Sequence, residues 1–111
     1  MGAGFSVLMK EFDSEILNAA LEFATEWGEN FRKPIAGRMK ARFPALEDDE
    51  IAKIEAFVRK AEYKIYEFAE IEERGEISES DITRLAAEEF PWMNGGHIAR
   101  LKNIGMFYAR K

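Results

Sequence analysis

The sequence predicts an all-α fold, a compact bundle of about five helices. Glycines and prolines divide the chain into about five segments, and in each segment the apolar residues recur at helical spacing. No segment shows the strict alternation of apolar and polar residues that a half-buried strand requires. The 111 residues are 47% hydrophobic and 33% charged, a globular balance. We therefore expect a single helical domain over residues 1–111.

A first helix is predicted from Asp13 or Ser14, either of which is a good N-cap, to Gly28, a good C-cap. Residues 1–12 are expected to form a flexible N-terminal segment ahead of it. Within the helix, apolar side chains at spacings of four, three and four should form one buried face. These are Ile16, Ala20, Phe23 and Trp27.

A second, shorter helix is predicted from about Phe31 to Arg42. Pro34 suits its first turn, because a proline there gives up no intrahelical hydrogen bond. Its apolar stripe consists of Ile35, Met39 and Phe43. The helix should end at Phe43, because Pro44 cannot continue it.

The longest helix is predicted from about Glu47 to Arg74, with Gly75 ending it. Its apolar residues follow alternating spacings of three and four, which form a heptad seam. They are Ile51, Ile54, Val58, Ala61, Ile65 and Phe68. Because the seam covers fewer than three heptads, we expect it to pack on the protein's own helices rather than in an extended coiled coil.

Two further helices are predicted toward the C-terminus. Ser78 or Ser80 should cap a fourth helix that ends at Phe90, just before Pro91. Its inward side chains are Ile82, Leu85 and Ala86. Asn94 should cap a fifth helix. Its apolar face holds Ile98, Leu101, Gly105 and Tyr108, widened by Ile104 and Phe107.

The two Phe-Pro dipeptides open stretches that resemble each other at an offset of 47 residues. The two stretches are FPALEDDEIAKI, residues 43–54, and FPWMNGGHIARL, residues 90–101. Both begin with FP, have an apolar residue at the fourth position, and end with IA followed by a basic and an aliphatic residue. The pattern predicts two helix, FP corner, helix units joined by one long central helix. An old duplication and the shared mechanics of an FP corner both account for this internal repeat.

Cysteine usage and hydropathy narrow the cellular context. The chain has no cysteine, which excludes disulfides and thiolate sites and favours a reducing compartment, so we expect a cytoplasmic protein. No apolar run approaches the roughly 20 residues that span a bilayer. The opening MGAGFS fits a myristoylation pattern at Gly2, but no basic second signal follows it. Membrane anchoring is therefore not expected.

The residue inventory does not favour an enzyme. The chain has one histidine, His97, without a Glu three residues before it or a second histidine one turn away. It also lacks a phosphate-binding loop with its lysine. We expect no catalytic site, cofactor or metal, and enzyme is the third and weakest hypothesis.

The leading hypothesis is an adaptor or regulatory module that binds another protein, including a second copy of itself. Tyrosine and tryptophan are enriched at interface hot spots because they join a large apolar ring to a polar tip. The candidate interface residues are Tyr63, Tyr66, Trp92 and Tyr108. Tyr63 and Tyr66 lie off the heptad seam, whereas Trp92 is better placed to fill the second corner.

The alternative is a nucleic-acid-binding regulator that uses a helix-turn-helix-like unit at residues 81–110. Residues 90–111 carry four cations and no acid, and residues 32–42 carry five cations and no acid. The candidate contacts are Arg38, Lys40, Arg42, His97, Arg100, Lys102 and Asn103. Against it, the buried positions of a helix-turn-helix would fall on Gly96 and Ala99. The net charge of −5 also favours pairing of the basic segments with the chain's own acids.

Overall fold

The computed structural model describes residues 14–26 and 33–111, and every regular element within them is a helix. Within these two ranges five helices follow one another: α1 Ser14–Ala24, α2 Ala36–Arg42, α3 Asp48–Glu73, α4 Glu79–Glu89 and α5 Gly95–Ala109. The prediction of an all-α chain of about five helices is confirmed. Asp13, Trp27, Gly28, Phe31 and the segment 1–12 lie outside the described residues, whereas the described ends of α1 and α2 test the predicted helix limits.

The chain divides into two units. The first, Met1–Val58, contains α1, α2 and the first part of α3, and the second, Arg59–Lys111, contains the rest. In the first unit α1 packs against α2, and in the second α4 packs against α5. The helix α3 continues without a break across the boundary between the units.

The buried face of α1 differs from the predicted one. Ala20 is buried as predicted, together with Leu17, Ala19, Leu21 and Ala24, whereas Ile16 and Phe23 are only half-buried. The large buried side chains, Leu17 and Leu21, lie one residue beyond the predicted Ile16 and Ala20, so the face is centred about one residue further along than predicted. A sequence with apolar residues on two neighbouring stripes does not decide which stripe meets a neighbouring helix.

Both ends of the link between α1 and α2 also differ from prediction. The helix α1 ends at Ala24 instead of Gly28, because the Thr25 amide is shared between the carbonyls of Leu21 and Glu22, which tightens the last turn. The helix α2 begins at Ala36, after Pro34 rather than around it. A proline disfavours the helical conformation of the residue before it, so the helix starts beyond this point.

The heptad seam of α3 is buried as predicted. All six of its residues, Ile51, Ile54, Val58, Ala61, Ile65 and Phe68, belong to the core. The helix ends where Gly75 adopts a φ of 82°, a conformation that costs glycine little. The Gly75 amide donates to the Glu72 carbonyl at 2.9 Å and the Glu76 amide to the Ile71 carbonyl at 3.2 Å. These two bonds form a Schellman motif.

The caps of α4 and α5 confirm two predicted helix starts. Ser78 caps α4 in a capping box, in which its hydroxyl accepts from the Asp81 amide while the Asp81 carboxylate accepts from the Ser78 amide. Asn94 caps α5, where its Oδ1 accepts from the His97 amide at 2.8 Å. Both caps satisfy backbone donors that a helix start would otherwise leave unpaired.

The apolar face of α5 is narrower than predicted. Ile98, Leu101, Ile104 and Gly105 are buried and Tyr108 is half-buried, but 64% of Phe107 is exposed. At 100° per residue, Phe107 lies about 200° around the helix from Gly105, so it faces away from the core. The expectation that Phe107 widens the buried face is wrong.

The two FP corners have the same backbone geometry. Phe43 has φ −127° and ψ 73°, and Phe90 has φ −124° and ψ 69°. In each, the phenylalanine amide donates to the carbonyl four residues before it, and its own carbonyl accepts from the amide three residues later. The first of these bonds is 2.8 Å and the second 3.0 Å at both corners. Each proline therefore follows a phenylalanine that has already left the helix.

The Asn94 cap gives a direct stability test. We expect Asn94→Ala to lower the free energy of unfolding by about 1 kcal/mol, because the His97 amide loses its acceptor at the start of α5. Urea denaturation followed by circular dichroism measures the change. Asn103→Ala removes an exposed asparagine from the middle of the same helix and serves as control. Equal losses in the two variants would contradict the role of the cap.

The Asp81 carboxylate predicts a pH dependence of stability. Hydrogen bonds from the Ser78 amide, the Arg84 guanidinium and the Ser78 hydroxyl, in order of their effect, lower the pKa of Asp81 below its usual value of 3.8. Since the folded pKa is the lower one, this contribution is present above pH 3.8 and is lost as the pH falls through the folded pKa.

The test compares acid unfolding curves. Asp81→Asn should flatten the fall in stability between about pH 5 and pH 2, because the variant has no such carboxylate to protonate. Asp49→Asn, which removes an exposed carboxylate from the first turn of α3, controls for the change in net charge. Identical acid limbs for the wild type and the Asp81 variant would show that the carboxylate contributes nothing.

Candidate protein interface

Four aromatic side chains of the second unit form a continuous row, which we call the ring row. It consists of Tyr63 and Tyr66 on α3 and Tyr108 and Phe107 on α5. Ring centroids are separated by 6.3 Å for Tyr63 and Tyr66, 6.1 Å for Tyr66 and Tyr108, and 5.7 Å for Tyr108 and Phe107. Each pair meets edge to face, a geometry that aromatic rings prefer. The structure thus brings together three of the four predicted interface residues.

The ring row is most exposed at its two ends. Tyr63 is 50% exposed and Phe107 is 64% exposed, and they are the exposed large hydrophobic side chains of residues 14–26 and 33–111. Tyr66 and Tyr108, between them, are half-buried. The row therefore lies across the surface from α3 to α5, with an aromatic ring presented to solvent on each helix.

A buried carboxylate holds the middle of the row. The Tyr66 hydroxyl donates to Glu62 Oε2 at 2.8 Å, and the Glu62 residue is only 1% exposed. Arg59 Nη1 lies 3.8 Å from Glu62 Oε1. A buried carboxylate requires such partners to offset its loss of hydration. The hydrogen bond to Glu62 therefore fixes the orientation of the Tyr66 ring from the buried side.

Sequence reasoning did not single out Glu62. It is one of 21 acidic residues, and nothing in the printed sequence marks it as buried. Two features could have drawn attention to Glu62: it follows Ala61 of the heptad seam, and Tyr66 lies one turn later, within reach of a hydrogen bond.

Gly105 allows α3 and α5 to approach closely at the row. A β-carbon at this position would lie 3.2 Å from the Tyr66 Cα, 3.0 Å from its Cδ1 and 3.1 Å from the Ala69 β-carbon. Only glycine fits this contact without displacing a neighbour. The close approach places Tyr66 against Tyr108, so Gly105 positions the centre of the ring row.

Trp92, the fourth predicted interface residue, lies apart from these ring contacts. Its ring packs edge to face on Phe90 at 6.3 Å, at the second FP corner, and the residue is half-buried. This is the position that a side chain filling the corner would take.

Charged groups border the row on both helices. On α3, Lys64 Nζ lies 3.1 Å from Glu67 Oε1, and this hydrogen bond raises the pKa of Lys64. On the α5 side, Lys111 Nζ lies 6.0 Å from the centre of the Tyr108 ring. Arg110 bonds to Glu73 at 2.9 Å and to Glu72 at 3.1 Å, which ties the end of α5 to α3.

A shallow groove of about 420 Å³ lies beside the exposed end of the row on α5. It is lined by Asn103, Met106, Phe107, Arg110 and Lys111. Its lining combines an exposed aromatic ring with two cations, of which Arg110 is bonded to Glu72 and Glu73. Lys111 is therefore the cation that the groove offers to an acidic neighbour.

The nucleic-acid candidates of the second unit are spread over α5. Lys102 Nζ lies 3.1 Å from Glu79 Oε2, and Arg100 Nη2 lies 3.3 Å from His97 Nδ1. Asn103 is exposed. The positions that a helix-turn-helix would bury, Gly96 and Ala99, are both exposed.

The nucleic-acid candidates of the first unit contact their own chain. Arg38 Nη1 bonds to Glu26 Oε1 at 2.6 Å and to the Phe23 carbonyl at 2.9 Å. Lys40 Nζ donates to the Leu46 carbonyl at 2.6 Å. The Arg42 guanidinium lies 5.4 Å from the centre of the Phe43 ring. Arg38 is thereby neutralised by a carboxylate in the folded unit.

Within the described part of the chain, no group of three or more histidine and carboxylate side chains is arranged to hold a metal ion. Across those same residues, no helix combines the length and the apolar character needed to cross a bilayer.

Comparison with known proteins returned no relative. No protein-family model matches the chain, and no curated protein or solved structure matches it significantly.

Proposed function

We propose that this chain is a small, non-enzymatic helical protein that acts by binding another protein, as an adaptor or regulatory module. The ring row is the centre of the interface. The observation that carries this proposal is the exposure of two large rings, Tyr63 at 50% and Phe107 at 64%, at the ends of one continuous aromatic surface. Single exposed apolar residues are normal on a protein surface. Contiguous exposed apolar surface, in contrast, is typical of interaction sites.

The fixed middle of the row supports the same proposal. The Tyr66 hydroxyl is bonded to the buried Glu62, and Gly105 packs directly against Tyr66. A ring that is already held in place loses little side-chain entropy when a partner binds. Rigid aromatic side chains with a polar tip are the residues that most often dominate binding energy.

The nucleic-acid alternative would have to break contacts that the fold already makes. Lys102 is paired with Glu79 and Arg38 with Glu26, so a phosphate would compete with a carboxylate for each. The net charge of −5 adds a repulsive background to that competition. These contacts favour the protein-binding proposal over the alternative.

The proposal predicts that partner capture depends on the ends of the row. In a chemical cross-linking experiment with cell extract, the double variant Tyr63→Ser, Phe107→Ser should lose at least about tenfold of the captured partner, the loss expected for interface hot spots. Ala87→Ser changes an exposed residue of α4 and should capture as the wild type does. Equal capture by all three proteins would refute the ring row as the interface.

A parallel titration tests the alternative. The protein is added to labelled mixed-sequence DNA and RNA at low salt, together with the variant Arg100→Glu, Lys102→Glu. The protein-binding proposal predicts no anisotropy change with either protein. Binding that weakens steeply with salt and is lost in the variant would instead support a nucleic-acid-binding regulator.

A further inference from the structure

We propose that the partner that fits the ring row is a second copy of this chain, related by a two-fold axis that lies in the interface along the line between α3 and α5. This inference rests on the proposed function of the ring row as an interface. A two-fold contact requires a surface that is complementary to itself. The ring row meets this requirement in its aromatic pattern and in its charges.

The two helices contribute matching sets of aromatic rings to the row. One ring is exposed on each helix, Tyr63 on α3 and Phe107 on α5, and the two central rings lie between them. A two-fold axis between the helices exchanges the two sides of the row. It places Phe107 of each copy on the α3 side of the other, at a level just beyond Tyr66, so that Phe107 gains an aromatic neighbour.

Beyond the row the two helices carry charges of opposite sign. From residue 67 to its last residue, Glu73, α3 carries four acids and no cation. On the α5 side the cations at this height are Arg110, which is bonded to Glu72 and Glu73 of its own chain, and Lys111. The exposed acid and base that can meet across the axis are therefore Glu70 and Lys111. An axis that places α3 of one copy on α5 of the other therefore sets acids against bases, whereas α3 on α3 would set acids against acids.

Because α3 and α5 run in the same direction, a two-fold axis parallel to them keeps the α3 acids and the α5 bases at similar levels along the axis. Gly105 lies beside Tyr66, and Arg110 lies beside Glu72 and Glu73, so α3 and α5 run in the same direction. Rotation about an axis parallel to both helices preserves that direction. One turn beyond Tyr66 is the exposed Glu70, and one turn beyond Phe107 is the exposed Lys111. The axis sets these two side chains near each other twice in the dimer.

The available area indicates a weak dimer. At about 200 Å² for each large aromatic side chain, the exposed fractions of Tyr63 and Phe107 offer roughly 230 Å² per copy. Stable interfaces bury about 800 Å² per partner. The flanking turns of α3 and α5 must supply the rest, and we expect a dissociation constant in the micromolar range or weaker.

The first measurement is sedimentation equilibrium of the full chain from about 10 µM to about 1 mM, a range that brackets a weak dimer. The wild type should show a monomer–dimer equilibrium. Phe107→Ser should raise the dissociation constant at least about tenfold, since it removes one exposed ring from each copy. Ala87→Ser, on the exposed surface of α4, should leave it unchanged.

A charge exchange tests the two-fold arrangement itself. Glu70→Lys and Lys111→Glu should each raise the dissociation constant about three- to tenfold, because each sets like charges together twice. The two changes combined should restore it to within about threefold of the wild type, since the pair is reversed rather than broken. Glu88→Lys makes the same charge change on α4 and should have little effect. Thermal unfolding of each variant confirms that it folds.

The outcomes separate this inference from the proposed function. A wild type that remains monomeric at the highest concentration overturns the dimer, and so does a dimer that the combined exchange fails to restore. If the monomer is found while the Tyr63→Ser, Phe107→Ser variant still loses a cross-linked partner, the ring row binds a different protein and the proposed function stands. If dimerisation and capture are both unaffected by that variant, both proposals fail.

Discussion

Leu101→Ala is expected to lower the free energy of unfolding by about 3 kcal/mol. Leu101 is fully buried on the inner face of α5, and its truncation removes apolar contacts and leaves a cavity that the surrounding helices fill only in part. Against a total stability of about 5 to 15 kcal/mol for a domain of this kind, such a loss is large. Urea denaturation followed by circular dichroism measures it.

The control for this prediction is Leu85→Ala. Leu85 is only half-buried on α4, so the same truncation removes less buried surface and should cost clearly less. If both leucine variants were equally stable, the assignment of Leu101 to the core would be wrong. A loss confined to Leu101 would confirm that the inner face of α5 is closely packed.

Gly105→Ala is expected to destabilise the protein by about 1 to 2 kcal/mol, although alanine is the better helix former. The new β-carbon would meet the Tyr66 Cα at 3.2 Å and the Ala69 β-carbon at 3.1 Å, and neither atom can move aside by a side-chain rotation. The strain of overpacking, about 1 to 3 kcal/mol, outweighs the helix propensity of about 1 kcal/mol that alanine gains.

Gly37→Ala provides the matched control with the opposite sign. Gly37 lies in α2 with no atom within 4 Å of the position of a β-carbon, so alanine there should stabilise the protein by about 0.5 to 1 kcal/mol. The measurement is the difference between the two variants in chemical denaturation. Two stabilising substitutions would show that α3 and α5 are not in close contact at Gly105.

The glycine variant also bears on the ring row. A displacement of Tyr66 would alter its contact with Tyr108, so Gly105→Ala should change the near-ultraviolet circular dichroism of the tyrosines. It should also weaken any binding that depends on the row. If Gly105→Ala lowered stability but left binding by the folded variant unchanged, Gly105 would have no role in positioning the ring row.

The starts and ends of several helices follow from the sequence because they depend on neighbouring residues. Ser78 and Asp81 form their capping box within one turn, Asn94 accepts from an amide three residues away, and Gly75 adopts the positive φ that ends α3. The FP corners are local in the same sense, since a proline blocks the helix wherever it occurs. The predicted bounds were wrong near Thr25 and Pro34, where α1 ends at Ala24 and α2 begins at Ala36.

Burial, in contrast, depends on which helices meet and at what angle. Phe107 and Ile104 are both apolar residues near the end of α5, yet Phe107 is exposed and Ile104 is buried. Glu62 is buried although its residue type is almost always exposed. Its partners Tyr66 and Arg59 lie one turn away on the same helix, so they stabilise the carboxylate but do not decide that it is buried. Such positions are decided by contacts between residues distant in the chain.

The sequence by itself determined that this protein is helical, where its corners lie, and that tyrosines stand off the seam of α3. Only the tertiary structure decided that Tyr63, Tyr66, Tyr108 and Phe107 form one row, because that row exists where Gly105 lets α5 approach α3. Helix periodicity fixes the direction of a side chain relative to its own helix, whereas the neighbour it meets is set by how the helices pack.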